Sequence, residues 1–180
     1  PVSVMPKLLI KAFLSSEDKN FFEHSGIDPA SLMNAAINNL LNLFNNKRPR
    51  GASTITQQVA KNFLLSNELS LERKIKEAIL AFRIEKAFSK NRILELYLNE
   101  IYLGMGSYGV AAAALNYFDK SLDELTVEEV AYLAALPKAP NNYHPVRKKS
   151  AATARRNGVI QKMHENGFIS KTTMELAQSI

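Results

Sequence analysis

The sequence predicts a mainly α-helical fold, and three observations carry that reading. Apolar residues recur at helical spacing through most of the chain. Three pairs, Thr54/Gln57, Ser121/Glu124 and Thr126/Glu129, have the Ser/Thr-x-x-Glu/Gln spacing with which a helix start satisfies its own free N–H groups. Strand signals are nearly absent, apart from a short pair expected near residues 104–109, where Gly104, Gly106 and Gly109 punctuate a turn.

The elements follow in order. Residues 6–16 place Leu8, Leu9, Ile10, Phe13 and Leu14 on a helix that breaks into a charged, aromatic turn. Asp28-Pro29 is a helix start, an N-cap followed by proline at the first position. The helix after it is apolar on several sides (Leu32, Met33, Ile37, Leu40, Leu41, Leu43, Phe44), which suits either a core or a membrane interface. Residues 45–51, Asn-Asn-Lys-Arg-Pro-Arg-Gly, read as a polar, basic, mobile loop. Residues 70–88 form a long helix with an expected core stripe at Leu71, Ile75, Ala78, Ile79, Phe82 and Ile84, and residues 90–103 another. Ala111–Ala114 permit close helix contact. Pro137, Pro140 and Pro145 end the next helix, and a basic helix over about 150–165 precedes a short tail.

Composition narrows the classes of function. At 180 residues, 46% of them hydrophobic and 22% charged, the chain is one globular domain, 1–180, with room for a substantial core. Lys and Arg outnumber Asp and Glu, 23 to 17, and the resulting +6 permits an anionic partner without choosing among nucleic acid, lipid and pyrophosphate. No run approaches the roughly 18 apolar residues of a membrane span. With neither an initiator Met nor a signal peptide, the chain is expected to be a piece of something longer. The absence of cysteine excludes disulfides, thiolate metal sites and thiol catalysis.

The most informative stretch is residues 51–62, Gly-Ala-Ser-Thr-Ile-Thr-Gln-Gln-Val-Ala-Lys-Asn. At about 100° per residue, Thr54, Gln57, Gln58 and Lys61 share one stripe, while Ile55, Val59 and Phe63 face the other way, toward a core. A face of hydroxyl and amide donors with one cation, at the positive end of a helix, suits an anion such as phosphate. The same pattern also describes a solvated surface. Glu17, beside Asp18 and followed by Phe21 and Phe22, reads either as a carboxylate with a raised pKa suited to acid–base work or as a surface pair, with Asp18 bracing the turn. His24 before Gly26 reads as an imidazole with a structural hydrogen bond. Arg73, Lys74 and Glu77 share a helix face. They form either an exposed ion pair or a buried carboxylate held ionised by cations that also face a phosphate. Histidines at 24, 144 and 164 make no metal set, and neither a Ser-His-Asp arrangement nor a phosphate-binding glycine loop is present.

Taken together, these blocks resemble glycosyltransferase family 51, the peptidoglycan glycosyltransferase domain of class A penicillin-binding proteins and monofunctional glycan polymerases. Glu17-Asp18-x-x-Phe21-x-x-His24-x-Gly26 is similar to its first motif, and Gly51-x-Ser53-Thr54-Ile55-Thr56-Gln57-Gln58-x-x-Lys61-Asn62 to its second. Arg73-Lys74-x-x-Glu77 is similar to the third. Lys90-x-x-Ile93-Leu94-Glu95-x-Tyr97-Leu98-Asn99 and Gly104-x-Gly106-x-x-Gly109, with Ala112-Ala113 and Tyr117-Phe118, resemble the fourth and fifth.

The resemblance implies a lysozyme-like α-helical fold with a larger head and a smaller membrane-facing jaw lobe, about 29–52, that includes the apolar helix and the basic loop. It implies polymerisation of peptidoglycan glycan strands from lipid II. Glu17 would be the general base and Glu77 the second catalytic carboxylate, orienting cations or sugar. Lys61, Arg73 and Lys74 would hold the departing lipid pyrophosphate, with Ser53, Thr54, Gln57 and Gln58 lining the same wall. Asp18, Phe21, His24 and Asn62 complete the implied substrate-binding set. No cofactor is required, and the resemblance allows magnesium or manganese at the pyrophosphate without demanding either. The implied partners are lipid II, the growing strand, the membrane surface, a following transpeptidase domain and other cell-wall synthesis proteins, with no nucleic acid. The implied location is the outer face of the bacterial cytoplasmic membrane, with an anchor outside these residues. A phosphoglycolipid of the moenomycin type is the implied inhibitor.

Two positions depart from the family pattern. Leu69 stands where many members have arginine before the third motif's helix, and Arg50 or Arg48 is the candidate replacement. Phe118-Asp119 replaces Phe-Gly, which is expected to alter only a turn. Three other classes compete. A muramidase or lytic transglycosylase shares the lysozyme-like fold, but one working with two carboxylates needs a partner acid across the sugar. A non-catalytic membrane-surface module would not need Glu17. A nucleic-acid binder would use the basic 147–156 segment, which has little aromatic interleaving.

Overall fold

The computed structural model describes residues 1–45, 53–65, 71–137 and 143–180. The helices are α1 (Lys7–Glu17), α2 (Pro29–Asn45), α3 (Ile55–Leu64), α4 (Leu71–Ala87), α5 (Lys90–Glu100), α6 (Val110–Phe118), α7 (Val127–Ala135), α8 (Lys149–Glu165) and α9 (Lys171–Ser179). Among the described residues the expected strand pair is reduced to one antiparallel bridge, Tyr102 to Tyr108. The short tail after α8 is itself helical. Ser170 caps it by accepting from Thr173 N–H, and α9 follows, burying Met174 and Ala177. Of the expected loop at 45–51, Asn45 is instead the last residue of α2. The rest of it, with Arg48, Arg50 and the second motif's Gly51, and Leu69 lie outside the described residues.

The chain divides into two compact units, Pro1–Lys19 with Leu94–Ile180, and Asn20–Ile93. In the first, α7 is the central element. Its residues from Val130 to the end and the following Leu136 are all buried, and it packs against both α1 and α8, close approach that small residues such as Ala131, Ala134 and Ala135 permit. Thr126 and Glu129 close the predicted box at its start, and Glu129 also takes the Lys120 ammonium at 2.8 Å. Phe13 of α1 packs edge-on against Tyr97 of α5, with ring centroids 6.2 Å apart. After α5 the chain turns through Leu103 N–H to Ser107 C=O at 2.8 Å and Gly109 N–H to Ile101 C=O at 2.7 Å. Gly109 has φ +86°, and a Cβ there would run into the Asn99 carbonyl. Asp119, where the family resemblance leads one to expect glycine, adopts φ +53° and ends α6 in the left-handed conformation. The altered turn therefore keeps the glycine-like backbone.

In the second unit, α3 packs on α4. Ile55 and Val59 are buried as their stripe predicted, but Phe63 is exposed. The expected core stripe on α4 is corrected in the same way: Leu71, Ile75, Ile79 and Phe82 are exposed and Ala78 is half-buried. Only Ile84 of that stripe is buried, together with Arg73, Glu77 and Ala81. Spacing identified residues sharing a face, not which face the fold covers. On α2, Leu32, Met33, Ile37, Leu40 and Leu41 are all exposed, so of its two readings the core is excluded; the side chains of Leu43 and Phe44 lie outside the described residues. Asp28 caps α2 as expected, accepting from the Ser31 hydroxyl at 2.7 Å and Ser31 N–H at 3.3 Å, with Asn20 Nδ2 at 3.0 Å. Gly26, at φ +120°, lets the loop before α2 approach α4 closely: a Cβ would sit 3.0 Å from the Ala81 carbonyl carbon.

Candidate active site

In the first unit the candidate base, Glu17, is the last residue of α1 and is half-buried. Asp18 follows as the C-cap, buried, its N–H donating to Leu14 C=O at 2.9 Å. The preceding residue pins this end of the helix. The Ser16 hydroxyl donates to Ala134 C=O of α7 at 2.8 Å and accepts from Arg155 Nη2 of α8 at 3.3 Å, and it lies 3.4 Å from Glu17 Oε1. Ser15 Oγ takes Asn166 Nδ2 at 3.1 Å. Tyr97 is buried. Burial pushes its phenol far up, helped by the negative charges of Glu17 and Asp18, so a neutral phenol accompanies the two carboxylates.

In the second unit the other predicted site residues are spread over the loop before α2, the length of α3 and α4. Thr54 closes a reciprocal box: its hydroxyl accepts from Gln57 N–H at 3.1 Å, and Gln57 Oε1 accepts from Thr54 N–H at 2.9 Å. That hydroxyl also donates to Gly26 C=O at 2.6 Å, which ties the first motif to the second. Thr54 and Gln57 are therefore buried, while Ser53, Gln58 and Lys61 are half-buried and Asn62 is exposed.

Of the two readings of Arg73, Lys74 and Glu77, the structure has the buried carboxylate. Glu77 is 1% exposed and Arg73 6%, while Lys74 is 48% exposed. Glu77 Oε1 accepts from Lys74 Nζ at 3.1 Å, and Glu77 Oε2 lies 3.8 Å from Arg73 Nη2. Lys74 Nζ also donates to Ser53 Oγ at 2.7 Å, so one ammonium joins the second motif to the third. Glu77 thus fixes two cations, one within reach of solvent. Such an arrangement can receive an oxyanion without bringing in loose charges.

Phe21 and His24, expected among the substrate-binding residues, are buried in this unit. Their rings meet edge-on at 6.0 Å, and His24 Nδ1 accepts from Gly26 N–H at 3.1 Å, the structural hydrogen bond the sequence suggested. Two residues had no assigned role in the sequence: Glu85, and Lys90 at the head of the fourth motif. They pair at 2.6 Å beside Thr56 and His24. They stand five apart across the break between α4 and α5, so no helical spacing joins them. No three His, Asp or Glu side chains form a metal site among the described residues.

A helical fold in which a terminal glutamate of α1 and a cation-bearing carboxylate of α4 are each built into a packed unit matches the family model described as Transglycosylase over residues 1–164, and the chain belongs to that family. Penicillin-binding protein 1A of Rickettsia typhi is 54% identical over 177 residues, covering 98% of this chain and 22% of that protein. The Escherichia coli K12 protein of the same name is 50% identical over 167 residues, covering 93% of this chain and 19% of its own length. The crystal structure of penicillin-binding protein 1A from Haemophilus influenzae is similar with a TM-score of 0.56 at 29% identity, covering 99% of this chain and 16% of that one. The lysozyme-like helical fold implied by the resemblance stands. This chain spans about a fifth of the length of the curated relatives it matches.

Proposed function

We propose that this transglycosylase domain polymerises peptidoglycan glycan strands, transferring a lipid-pyrophosphate-linked strand onto the GlcNAc 4-hydroxyl of lipid II. The observation that carries the reading is the buried Glu77 carboxylate holding Arg73 and Lys74, with Lys74 extended to Ser53 at the start of α3. A leaving lipid diphosphate needs fixed positive charge, and a cleavage enzyme has no diphosphate to receive.

In this mechanism Glu17 accepts the proton of the acceptor 4-hydroxyl while its oxygen attacks C1 of the donor MurNAc. The bond from C1 to the pyrophosphate oxygen breaks, the configuration inverts from α to β, and undecaprenyl pyrophosphate leaves. The proton on Glu17 then passes to water. A positioned base of this kind contributes about 10²–10⁴-fold. Lys74, Lys61 and Arg73 take the developing charge of the diphosphate. Ser53 before α3 and Gln58 and Asn62 along it offer polar atoms at or near the surface, and Phe21, His24, Thr54 and Gln57 support that unit from within. Asp18 stands beside Glu17 in the first unit, and all belong to the proposed substrate-binding set. Glu77, the second catalytic carboxylate, orients the two cations. Glu77 Oε1 accepts from Lys74 and Oε2 lies 3.8 Å from Arg73. Magnesium or manganese at the pyrophosphate would add positive charge there, and the proposed transfer does not require either.

The exposed apolar side chains of α2 support a lipid-facing role for this helix, where a lipid-linked substrate would be met. No helix among the described residues is long and apolar enough to cross a membrane. The outer face of the cytoplasmic membrane, an anchor, a transpeptidase domain elsewhere in the whole protein, and other cell-wall synthesis proteins as partners belong to the same proposal. Incubation with purified lipid II is the test. Glycan polymer that disappears in Glu17→Gln supports it, whereas fragments released from finished cell wall, with no polymer from lipid II, would overturn it.

A further inference from the structure

A second gathering of charged side chains lies inside the second unit, apart from Arg73, Lys74 and Glu77. Glu85 Oε1 accepts the Thr56 hydroxyl at 2.7 Å and the Lys90 ammonium at 2.6 Å. The same ammonium sits 3.5 Å from His24 Nδ1 and 4.5 Å from the centroid of the Phe21 ring. Thr56 and Phe21 are fully buried, and the Glu85 and Lys90 side chains are largely so. Four segments therefore meet at one cation: the loop before α2, the first turn of α3, the end of α4 and the start of α5.

The chemistry is costly for a purely structural contact. Removing an ammonium and a carboxylate from water is repaid only when geometry and hydrogen bonding are good, and apolar residues of the same volume would often hold the segments as well. A charged junction adds direction. Lys90 accepts a ring face on one side and a carboxylate on the other, so Phe21 and Glu85 each have one favourable place. Thr56 stands two residues after Thr54 and one before Gln57. Any shift of Thr56 thus moves the box that sets the start of α3, and with it Ser53 and the wall of Gln58 and Lys61. The Gly26 N–H donates to His24 Nδ1, which leaves the ring proton on Nε2, and the ammonium flanks that same acceptor nitrogen.

We infer that Glu85 and Lys90 are positioning residues for the glycosyl transfer, holding the α3 start and the 20–28 loop in one register through Thr56, His24 and Phe21 without touching substrate. This rests on the function proposed above. The ion pair belongs to the rate, not to the affinity.

The experiment compares Lys90→Met, Glu85→Gln and Thr56→Val in the full-length protein, following polymerisation of lipid II together with the nitrogen resonances of the His24 ring. Misplacement by about an ångström can cost on the order of 10²-fold. Lys90→Met is therefore expected to lower kcat about 10- to 100-fold with KM within about threefold. Glu85→Gln, which keeps an acceptor for Thr56, is expected to lose less. The Lys90→Met and Thr56→Val losses should combine to less than their product, because both act through Glu85. In Lys90→Met the His24 nitrogen shifts should move from their wild-type values. An unchanged kcat in folded Lys90→Met, a loss confined to KM, or an unmoved His24 signature would each overturn the inference. If Lys90→Met does not fold, Glu85→Gln carries the same comparison, with wild-type kcat and an unmoved His24 signature overturning it. Should the wild-type protein make no polymer from lipid II, the proposed function fails. The His24 resonances would still report whether the junction exists.

Discussion

The Thr54 hydroxyl donates to Gly26 C=O at 2.6 Å while accepting from Gln57 N–H at 3.1 Å, so one oxygen both starts a helix and anchors a loop. Both partners lie inside the unit, where an unpaired polar group costs about 1–3 kcal/mol. Losing a threonine cap costs a further ~1 kcal/mol. Thr54→Ala is expected to destabilise the protein by about 2–4 kcal/mol, and Thr54→Ser by well under half of that. Urea denaturation of the two variants checks the ordering, and an equal loss in both would contradict it.

Lys74 and Glu77 share a contact but should weigh differently on stability and rate. Lys74 is half-exposed, but it donates to a Glu77 oxygen that is buried, and leaving such an acceptor unpaired costs about 1–3 kcal/mol. Lys74→Met should therefore cost about that much stability while lowering polymerisation about 10²–10³-fold, the usual loss for one donor to a developing anion. Glu77→Leu instead removes the carboxylate of a buried ion pair, and breaking such a pair costs about 3–5 kcal/mol. Melting curves and initial rates on the same preparations separate the two effects. A Lys74→Met protein that polymerises normally removes this ammonium from the mechanism.

Burial pushes the Asp28 carboxyl up, but hydrogen bonds from the Ser31 hydroxyl, the Asn20 amide and Ser31 N–H outweigh it and hold the group below its ordinary value. A folded-state value lower than the unfolded one means the stabilisation is complete above the unfolded pKa of about 3.9 and is lost as pH falls through the folded value. Asp28→Asn should be less stable than wild type at pH 6, by about 1 kcal/mol, and the gap should close toward pH 3. Denaturation midpoints across that range give the answer. A gap that widens on acidification would refute the assignment.

Much of this architecture is legible in the sequence where a local rule acts alone. All three reciprocal boxes formed, the Asp28-Pro29 start formed, and the expected limits of α1 and α8 fell within a residue of the observed ones. Caps and proline decide such boundaries within a few residues of themselves. What spacing could not convey is coverage. Leu71, Ile75, Ile79 and Phe82 do share a face of α4, yet the face that packs carries Arg73 and Glu77. Nor does spacing distinguish an exposed Arg73–Glu77 pair from a buried one, since the i, i+4 contact is the same in both. Thr56 and Glu85 meet across 29 residues, which no local pattern encodes.

Three turn positions separate conformational strain from collision. Gly106 has φ +68° with open space where a Cβ would stand, whereas Gly109 at φ +86° would point that atom at the Asn99 backbone. Gly106→Ala should cost only the left-handed penalty, about 1–2 kcal/mol. Gly109→Ala should cost distinctly more, because the end of α5 would have to move. Asp119, exposed at φ +53°, is the converse case. Asp119→Gly should stabilise by about 0.5–1 kcal/mol. Thermal melts of the three variants test the series, and a Gly109→Ala protein as stable as Gly106→Ala would show that the α5 end yields easily.

The exposed side of α2 makes a prediction about surface rather than stability. Met33 is 67% exposed, Leu40 60% and Leu41 54%, and the helix Pro29–Asn45 contains no charged residue. Each such side chain, moved from water into an apolar layer, contributes about 1.5–3 kcal/mol. Because these groups are already exposed in the fold, replacing them costs little core. Met33→Asp with Leu40→Asp should therefore leave the melting temperature within a few degrees while greatly reducing co-sedimentation with phospholipid vesicles. Polymerisation should fall with lipid II presented in vesicles and much less with lipid II dispersed in detergent. Equal losses in the two formats would mean that α2 serves the chemistry directly. Unchanged vesicle binding would mean that another surface of the protein meets the lipid.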